Sequence, residues 1–408
     1  MCCDREKSTM TQTILCLSSY FKGAAFLEAC KEAGLHVILA TNDKSKDELW
    51  PRESIDEFFH MPDLGKLPDI IHAVAYLARS RQIDLIMALD DFDVETAAHL
   101  REHFRLPGMG DSLARNFRDK LAMRTTARNA GLLVPEFTGV FNYDHLREFM
   151  ARVSPPWLLK PRSEASSMGI KKINQPDELW PILESLGDQQ SFFVMEQFVS
   201  GDVYHVDGLV DNGEVLFSVA HKYAQPPLSV YAGGGVFITR SLNRESDESK
   251  ALVELNKRVL KAMGLVRGAT HSEYIKADTD ERLYFLENAA RVGGANIAEC
   301  VEYATAANLW REWARIEIAN LRGQKYQLPQ THSGYAGIIN CLARQEWPDL
   351  SDYNDSEVVW RLSKKYHAGL IVSSPDAARV ESLLKSYAER FAHDFLAVMP
   401  PRQSSAEM

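Results

Sequence analysis

Apolar and polar residues follow two different rhythms along this chain. Over the first hundred residues, the apolar runs TILCLSS (13–19), HVILATN (36–42) and DLIMALDD (84–91) are separated by stretches of helical spacing, the first between Gly23 and Gly34. That strand–helix–strand–helix–strand order predicts a parallel sheet with helices on its faces. A helix is predicted from about Asp111 to Ala130, capped by Asp111 and stopped by Gly131. From Pro135 onward short strands dominate: WLLKP (157–161), FFVMEQF (192–198), VYHVDGLV (203–210) and EVLFSVAH (214–221), the last two flanking the hairpin signal Asn212-Gly213. Residues 295–322 carry a long helical pattern, KYHAGLIVSS (365–374) reads as a strand, and an amphipathic helix runs from about Asp376 to Phe395. The expected class is α/β followed by α+β, with no internal repeat.

One stretch raises a chemical question. HSEYIKADTDERLYFLENAARVGG (271–294) alternates apolar and polar residues on both sides of a polar turn, the signature of an antiparallel hairpin. A turn centred on Asp280 sets Glu273 directly opposite Glu287, with Cβ atoms roughly 5 Å apart. Two carboxylates so placed repel and raise each other's pKa unless a cation sits between them. Arg291 or Lys276 could be that cation, as could a hard ion such as Mg²⁺, which favours carboxylate oxygens. On this segment alone both readings stand.

Composition narrows the field. With 408 residues, 45% apolar and 25% charged, the chain can bury a large core in two or three domains. A net charge of −10 with no long basic run argues against nucleic acid as a partner. No apolar stretch approaches twenty residues, so no membrane span is expected. The opening MCCDREKSTM lacks the apolar core of a signal peptide, and Cys2 and Cys3 read as part of an untouched tail rather than as lipidation sites. Cys16, Cys30, Cys300 and Cys341 are scattered in apolar surroundings without a Cys-x-x-Cys, as reduced core residues of a cytoplasmic protein would be.

Further positions suit a nucleotide, although each has an ordinary structural alternative. Lys160 ends a buried strand, where an ammonium needs an anion or a route to water. The loop RSEASSMGI that follows is rich in small residues, including Ser166 and Ser167, whose backbone can approach phosphate oxygens. The run Glu196-Gln197-Phe198-Val199 before Ser-Gly suits a hinge whose backbone bonds the edge of a base, or is a plain strand end. Lys120 lies on the preceding helix. No Gly-x-Gly-x-x-Gly follows the first strand, so a dinucleotide fingerprint is absent. Taken in order, these features supply positive charge for phosphates, backbone for a base and acid for Mg²⁺, which together describe an ATP site.

Over nearly its whole length the sequence resembles the ATP-grasp superfamily. LPGMGDSLARNFRDKLAMRTTARNAGLLVPEF (106–137), WLLKPRSEASSMGI, MEQFVSGDVYHVDG and the 271–294 hairpin resemble, in order, its linker helix, phosphate loop, adenine hinge and acidic strands. YHVDG (204–208), THSEY (270–274) and ENAARVGG (287–294) are most similar to the carboxylate–amine ligases that join free amino acids into dipeptides. The resemblance implies an ATP-grasp fold: a Rossmann-like N-terminal domain (1–110), a linker helix with a small central lid (111–200), and a C-terminal antiparallel-sheet domain (201–408). It implies ATP and Mg²⁺, with Mn²⁺ as an alternative, and a carboxylate activated as an acyl phosphate before an amine attacks. The phosphates fall to Lys120 and Lys160, with Ser166 and Ser167 in the loop; the base falls to Glu196, Gln197, Phe198 and Val199; Mg²⁺ falls to Glu273 and Glu287. Arg291 and Gly294 would hold the acyl phosphate, or else Arg291 only neutralises the glutamates. His205 and Asp207, on one strand face, would turn towards the nucleotide or be satisfied interior groups, and His271 would steady Glu273. Two positions depart from the family pattern: Val203 where a ribose-binding Glu is frequent, and Ala289 where many members have Asn, a role left to Asn288 or water. Arg240 is a guess for a phosphate or a substrate carboxylate. Homodimers are common in such folds. An ATP- and bicarbonate-dependent carboxylase and a catalytically silent nucleotide-binding protein are the rival readings.

Overall fold

The computed structural model describes residues 11–165 and 167–398. Ser166, Cys2 and Cys3 therefore lie outside the described residues. The chain divides into two compact units, one of residues up to Ala114 with Trp310–Gln327, the other of Arg115–Leu309 with the chain from Leu328.

In the first unit, strands β1 (Thr13–Ser18), β2 (His36–Asn42), β3 (Glu57–Met61) and β4 (Leu85–Ala88) form a parallel sheet in the order β3-β2-β1-β4. Every residue of β1 is buried, as its unbroken apolar run requires. Leu15, Leu17, Ile38 and Ile86 pack with Val74 and Leu100 from the flanking helices. The apolar pattern did not show β3, because EFFHM is an edge strand with half-exposed residues and no alternation. The stretch expected as one helix over 295–322 is two, Ile297–Thr305 and Leu309–Leu321, separated at Ala306, whose φ of 62° breaks the helical path. Trp313 of the second helix meets Phe26 edge-on, with ring centroids 5.1 Å apart.

The second unit holds two antiparallel sheets. The smaller, ordered β5-β8-β6-β7, comprises β5 (Phe137–Gly139), β6 (Trp157–Pro161), β7 (Lys171–Ile173) and β8 (Phe193–Gln197). Trp157 and Leu159 bury one face of it against Leu146 and Phe149 of one helix and Leu179 and Leu183 of another. The larger sheet has eight strands in the order β13-β12-β9-β10-β11-β14-β16-β15. These are β9 (Gly201–Asp211), β10 (Glu214–Tyr223), β11 (Phe237–Ser241), β12 (Gly268–Ala277), β13 (Leu283–Ala289), β14 (Tyr335–Leu342), β15 (Val358–Arg361) and β16 (His367–Ser374). Asn212 and Gly213, at φ 51° and 78°, make the tight β9–β10 turn that the dipeptide predicts.

The alternation of side chains gives the large sheet two different faces. Tyr204 and Tyr274 turn to the helix Asp247–Met263, bonding Glu248 and Asn256. His205 and Glu273 turn the other way. Across β13, β12, β9 and β10, the register aligns Glu287, Glu273, His205 and His221 as directly opposed neighbours in one row.

The helix expected over 111–130 is interrupted: a short turn Asp111–Ala114 and a 3₁₀ turn Arg115–Phe117 precede the helix Lys120–Asn129. The working cap is Asp119, whose carboxylate accepts from the amides of Leu121 and Ala122. Asp119 also pairs with Arg162 of the loop after β6. Asp119→Ala should lower unfolding free energy by about 1–2 kcal/mol, the value of a lost N-cap, measured by urea denaturation; an unchanged midpoint would remove Asp119 from this role.

Candidate active site

The hairpin β12–β13 meets the expected pairing by an unexpected route. Near the turn, Lys276 faces Leu283 and Tyr274 faces Phe285; past that point Glu273 faces Glu287. A bulge at Leu286 shifts the register by one residue. Without it Leu286 would oppose Glu273, and Glu287 would turn to the opposite face of the sheet. The bulge is what pairs the two acids.

Each acid has its own partners. Lys120 Nζ lies 3.1 Å from Glu287 Oε2, so the nearby cation is Lys120 from the linker helix. Glu273 accepts a 2.8 Å hydrogen bond from the Tyr223 hydroxyl, and His271 Nε2 lies 3.6 Å away. Burial raises the pKa of Glu273, but hydrogen bonds and charge from His271, with the Tyr223 bond, outweigh it and keep the group ionised.

In the smaller sheet, Lys160 Nζ sits 2.7 Å from Glu196 Oε2, while Arg124 Nε sits 2.9 Å from the other carboxylate oxygen. Burial alone would raise the pKa of Glu196; the charges of Arg124 and Lys160 instead bring it down to about 2. Lys120 Nζ also donates to the Glu164 carbonyl at 2.6 Å, and Arg118 donates to that of Ser163, fastening the small-residue loop to the start of the linker helix.

Lys120, Lys160, Glu164, Glu196, Glu273 and Glu287 line one open cleft, whose empty space, including the part open to solvent, is about 1090 Å³. Lys120, Lys160 and Ser167 stand on its polar side with Glu273 and Glu287. Gln197, Phe198 and Val199 also line it, with the apolar residues Leu158, Met168, Ile170, Val203 and Ile275. Such a cavity offers a flat ring an apolar slot and its anionic tail two ammonium groups. Pro226, Pro227, Leu228 and Ser229 also line it.

Comparison with known proteins places this geometry. Residues 153–299 match the ATP-grasp domain model, and residues 27–108 match the ATP-grasp N-terminal domain model. The chain carries an ATP-grasp domain. It is 24% identical over 270 residues to the L-arginine-specific L-amino acid ligase of Bacillus subtilis, covering 64% of each protein. It thus spans just under two thirds of that relative's length. The crystal structure of an L-amino acid ligase from Bacillus licheniformis superposes with a TM-score of 0.73 at 17% identity, over 95% of this chain and 99% of that one. The biotin carboxylase domain of the Hydrogenobacter thermophilus 2-oxoglutarate carboxylase, solved with MgADP and bicarbonate, gives 0.69 at 17% identity, over 94% and 90%.

Several sites expected from the ATP-grasp sequence lie elsewhere than in the cleft. His205 is fully buried and does not line the cleft: one ring nitrogen lies 2.6 Å from Asp207 and the other 2.7 Å from Thr239 Oγ1, so both are committed internally. Glu196 borders the cleft, but its carboxylate is the counter-ion of Lys160 and Arg124 rather than a group free for a base. Asn288 cannot stand in for a metal-binding Asn at position 289, because it alternates to the face opposite Glu287. Arg240 pairs with Glu381 at 2.8 Å, and Asp202 with Lys222 at 2.5 Å. Arg291, on the loop after β13, donates to the Val292 carbonyl at 2.9 Å. Gly293 and Gly294 precede the helix by more than expected: it begins at Ile297, whose amide bonds the Gly294 carbonyl. A Cβ on Gly293 would come within 2.8 Å of Asp207 Oδ1 and 3.0 Å of His271 Nδ1, so this glycine closes over the buried pair.

Beside the cleft, His205, Asp207 and His271 gather as metal ligands do, but both imidazoles already bond the one carboxylate, at 2.6 and 2.9 Å. Burial opposes charge on His271, and Asp207 with Glu273 overcomes it, holding the pKa up at about 9. His221, stacked on His205 at 4.6 Å, is pushed down to about 3 by burial and by its neighbour. The cluster therefore holds an imidazolium between carboxylates, with neutral imidazoles behind it.

The sequence did not point to Arg124 or Tyr223. A signal existed for Arg124, four residues after Lys120 and so on the same helix face. Tyr223 joins the site through the β10–β9–β12 register, which no local pattern shows.

Glu196 yields a pH test. Its pKa falls from 4.5 to about 2 on folding, so its stabilising effect is full above about 4.5 and fades as pH falls towards 2. Glu196→Gln strands the buried Arg124 and the partly buried Lys160 and should cost about 3–5 kcal/mol at neutral pH. In urea titrations, the gap to wild type should narrow between pH 4.5 and the lowest pH at which both fold; a constant gap would contradict the assignment.

Proposed function

We propose that this protein is an ADP-forming carboxylate–amine ligase. ATP transfers its γ-phosphoryl group to a substrate carboxylate, giving an acyl phosphate and ADP. An amine then attacks the acyl carbon, and phosphate leaves as the amide forms. The reading rests on one observation above all: Glu273 and Glu287 face each other in the cleft that also holds Lys120 and Lys160.

The residues fit a divalent cation. Glu273 is kept ionised although largely removed from water, and Glu287 stands beside it with its side chain 34% exposed. Glu273 and Glu287 would hold Mg²⁺, or Mn²⁺, which when bound supplies charge neutralisation at the transferring phosphoryl group. Lys120 and Lys160 would meet the phosphates, with the loop at Ser167 closing over them. The base would lie along Gln197–Val199, bonded by backbone rather than by the committed Glu196 carboxylate. Arg291 and Gly294, on the loop after β13 and outside the lining of the cleft, would receive the acyl phosphate at its margin, where a guanidinium's paired donors suit a phosphate.

For substrates, the names of the relatives favour amino acids as acid and amine, and a dipeptide as product. Four free, buried cysteines suit a reducing compartment, and we place the protein in the cytoplasm. Among the described residues no helix is long and apolar enough to cross a membrane. A bicarbonate-dependent carboxylation is the second reading, favoured by the similarity to a carboxylase domain solved with bicarbonate.

Chromatography of nucleotide products, with Mg²⁺-ATP and pooled amino acids, separates the readings. ADP formed only with amino acids supports the ligase, ADP formed with bicarbonate alone supports the carboxylase, and AMP contradicts both. Glu287→Gln should lower ADP formation by about 10²- to 10³-fold, the loss expected for one preorganised electrostatic contact, while circular dichroism stays unchanged; normal turnover would sink the metal assignment.

A further inference from the structure

Arg124 is fully buried, yet it touches two different sheets. Its Nη1 donates to the carbonyl of Leu286 on β13, its Nη2 donates to Glu196 Oε2 on β8 at 3.2 Å, and its Nε lies 2.9 Å from Oε1 as an ion pair. Leu286 is the extra residue of the bulge that turns Glu287 towards Glu273. A bulged residue drops out of the strand ladder, and a buried carbonyl without a donor is costly. Arg124 provides that donor. One turn earlier on the same helix, Lys120 reaches Glu287 itself.

We propose that Arg124 is a positioning residue for the divalent-cation site. It holds the bulge that presents Glu287, and through Glu196 it ties that bulge to Lys160, the lysine at the nucleotide end of the cleft. The guanidinium is suited to this because it donates to a carbonyl and to a carboxylate from different nitrogens at once, whereas an ammonium is a single point of charge. The metal pair and the phosphate lysine are thereby set by one side chain that itself need not touch nucleotide or metal. The inference rests on the assignment of Glu273 and Glu287 to Mg²⁺.

The test is ADP binding by isothermal titration calorimetry, with and without Mg²⁺, on wild type, Arg124→Lys and Arg124→Gln. Wild type is expected to bind ADP more tightly with Mg²⁺; if it does not, the metal assignment fails before Arg124 is questioned. Given that enhancement, Arg124→Lys keeps a cation beside Glu196 but loses the forked contact. It should reduce the Mg²⁺-dependent part of the affinity by about 10- to 100-fold, as loss of a group that orients a metal ligand does. Metal-free ADP binding should change far less. Arg124→Gln should lose the enhancement altogether, and if it does not fold, Arg124→Lys alone decides. An enhancement in Arg124→Lys equal to wild type, or an equal fall with and without Mg²⁺, would reduce Arg124 to a structural role and overturn the proposal.

Discussion

A carboxylate buried away from water must be met by cations, and the organisation of the cleft depends on how that requirement is satisfied at Glu196. Its charge sits at the end of an apolar strand with no exposure. Lys160 comes to it from the neighbouring strand and Arg124 from the linker helix. An isolated charge there would cost several kcal/mol; an ion-paired triplet fixes the relative positions of two strands and a helix. Because Arg124 also bonds Leu286, the same triplet reaches the strand that carries Glu287.

The large sheet adds a second constraint. Its register sets Glu287, Glu273, His205 and His221 side by side, with His271 and Asp207 in the adjacent row. Like charges in such a row would repel, and the cluster resolves this by holding a proton on His271 between Asp207 and Glu273. Tyr223 completes the restraint on Glu273 with one hydroxyl. The acid nearest the buried cluster is held from behind, while the other stands at the open side of the cleft with Lys120. An ion seated between them would meet one rigid ligand and one exposed one.

The cleft is lined by both apolar and charged side chains. Its apolar wall comes from strand interiors, such as Leu158, Val203 and Ile275, where burial is already required by the fold. Its charged side comes from strand ends, a helix N-terminus and a hairpin, where backbone geometry can bring polar groups in at little cost. The stretch Pro226–Ser229, on a loop and a short helix, adds to the lining from outside the sheets.

Local pattern was enough for much of this protein. Periodicity located three of the four parallel strands and the Asn212-Gly213 hairpin, because strand burial and turn chemistry are properties of a few adjacent residues; the pairing of Glu273 with Glu287 was expected from a regular register, whereas the bulge at Leu286 produces it. The order of lysine, small-residue loop, hinge and paired acids was likewise legible, since each piece is a contiguous segment. What pattern could not supply was any contact made across the sheets. The edge strand Glu57–Met61 has no alternation to read, and the break at Ala306 lies within an unbroken helical pattern. His205 was legible as a polar residue on a strand face, but whether that face met nucleotide or interior depended on Thr239 and Asp207 arriving from register. Arg124 was one charge among several on an amphipathic helix. Its role exists only where the tertiary fold sets Glu196 and the bulged Leu286 within reach of the same guanidinium, because burial and the pairing it demands are decided by the assembled chain and not by its neighbours in sequence.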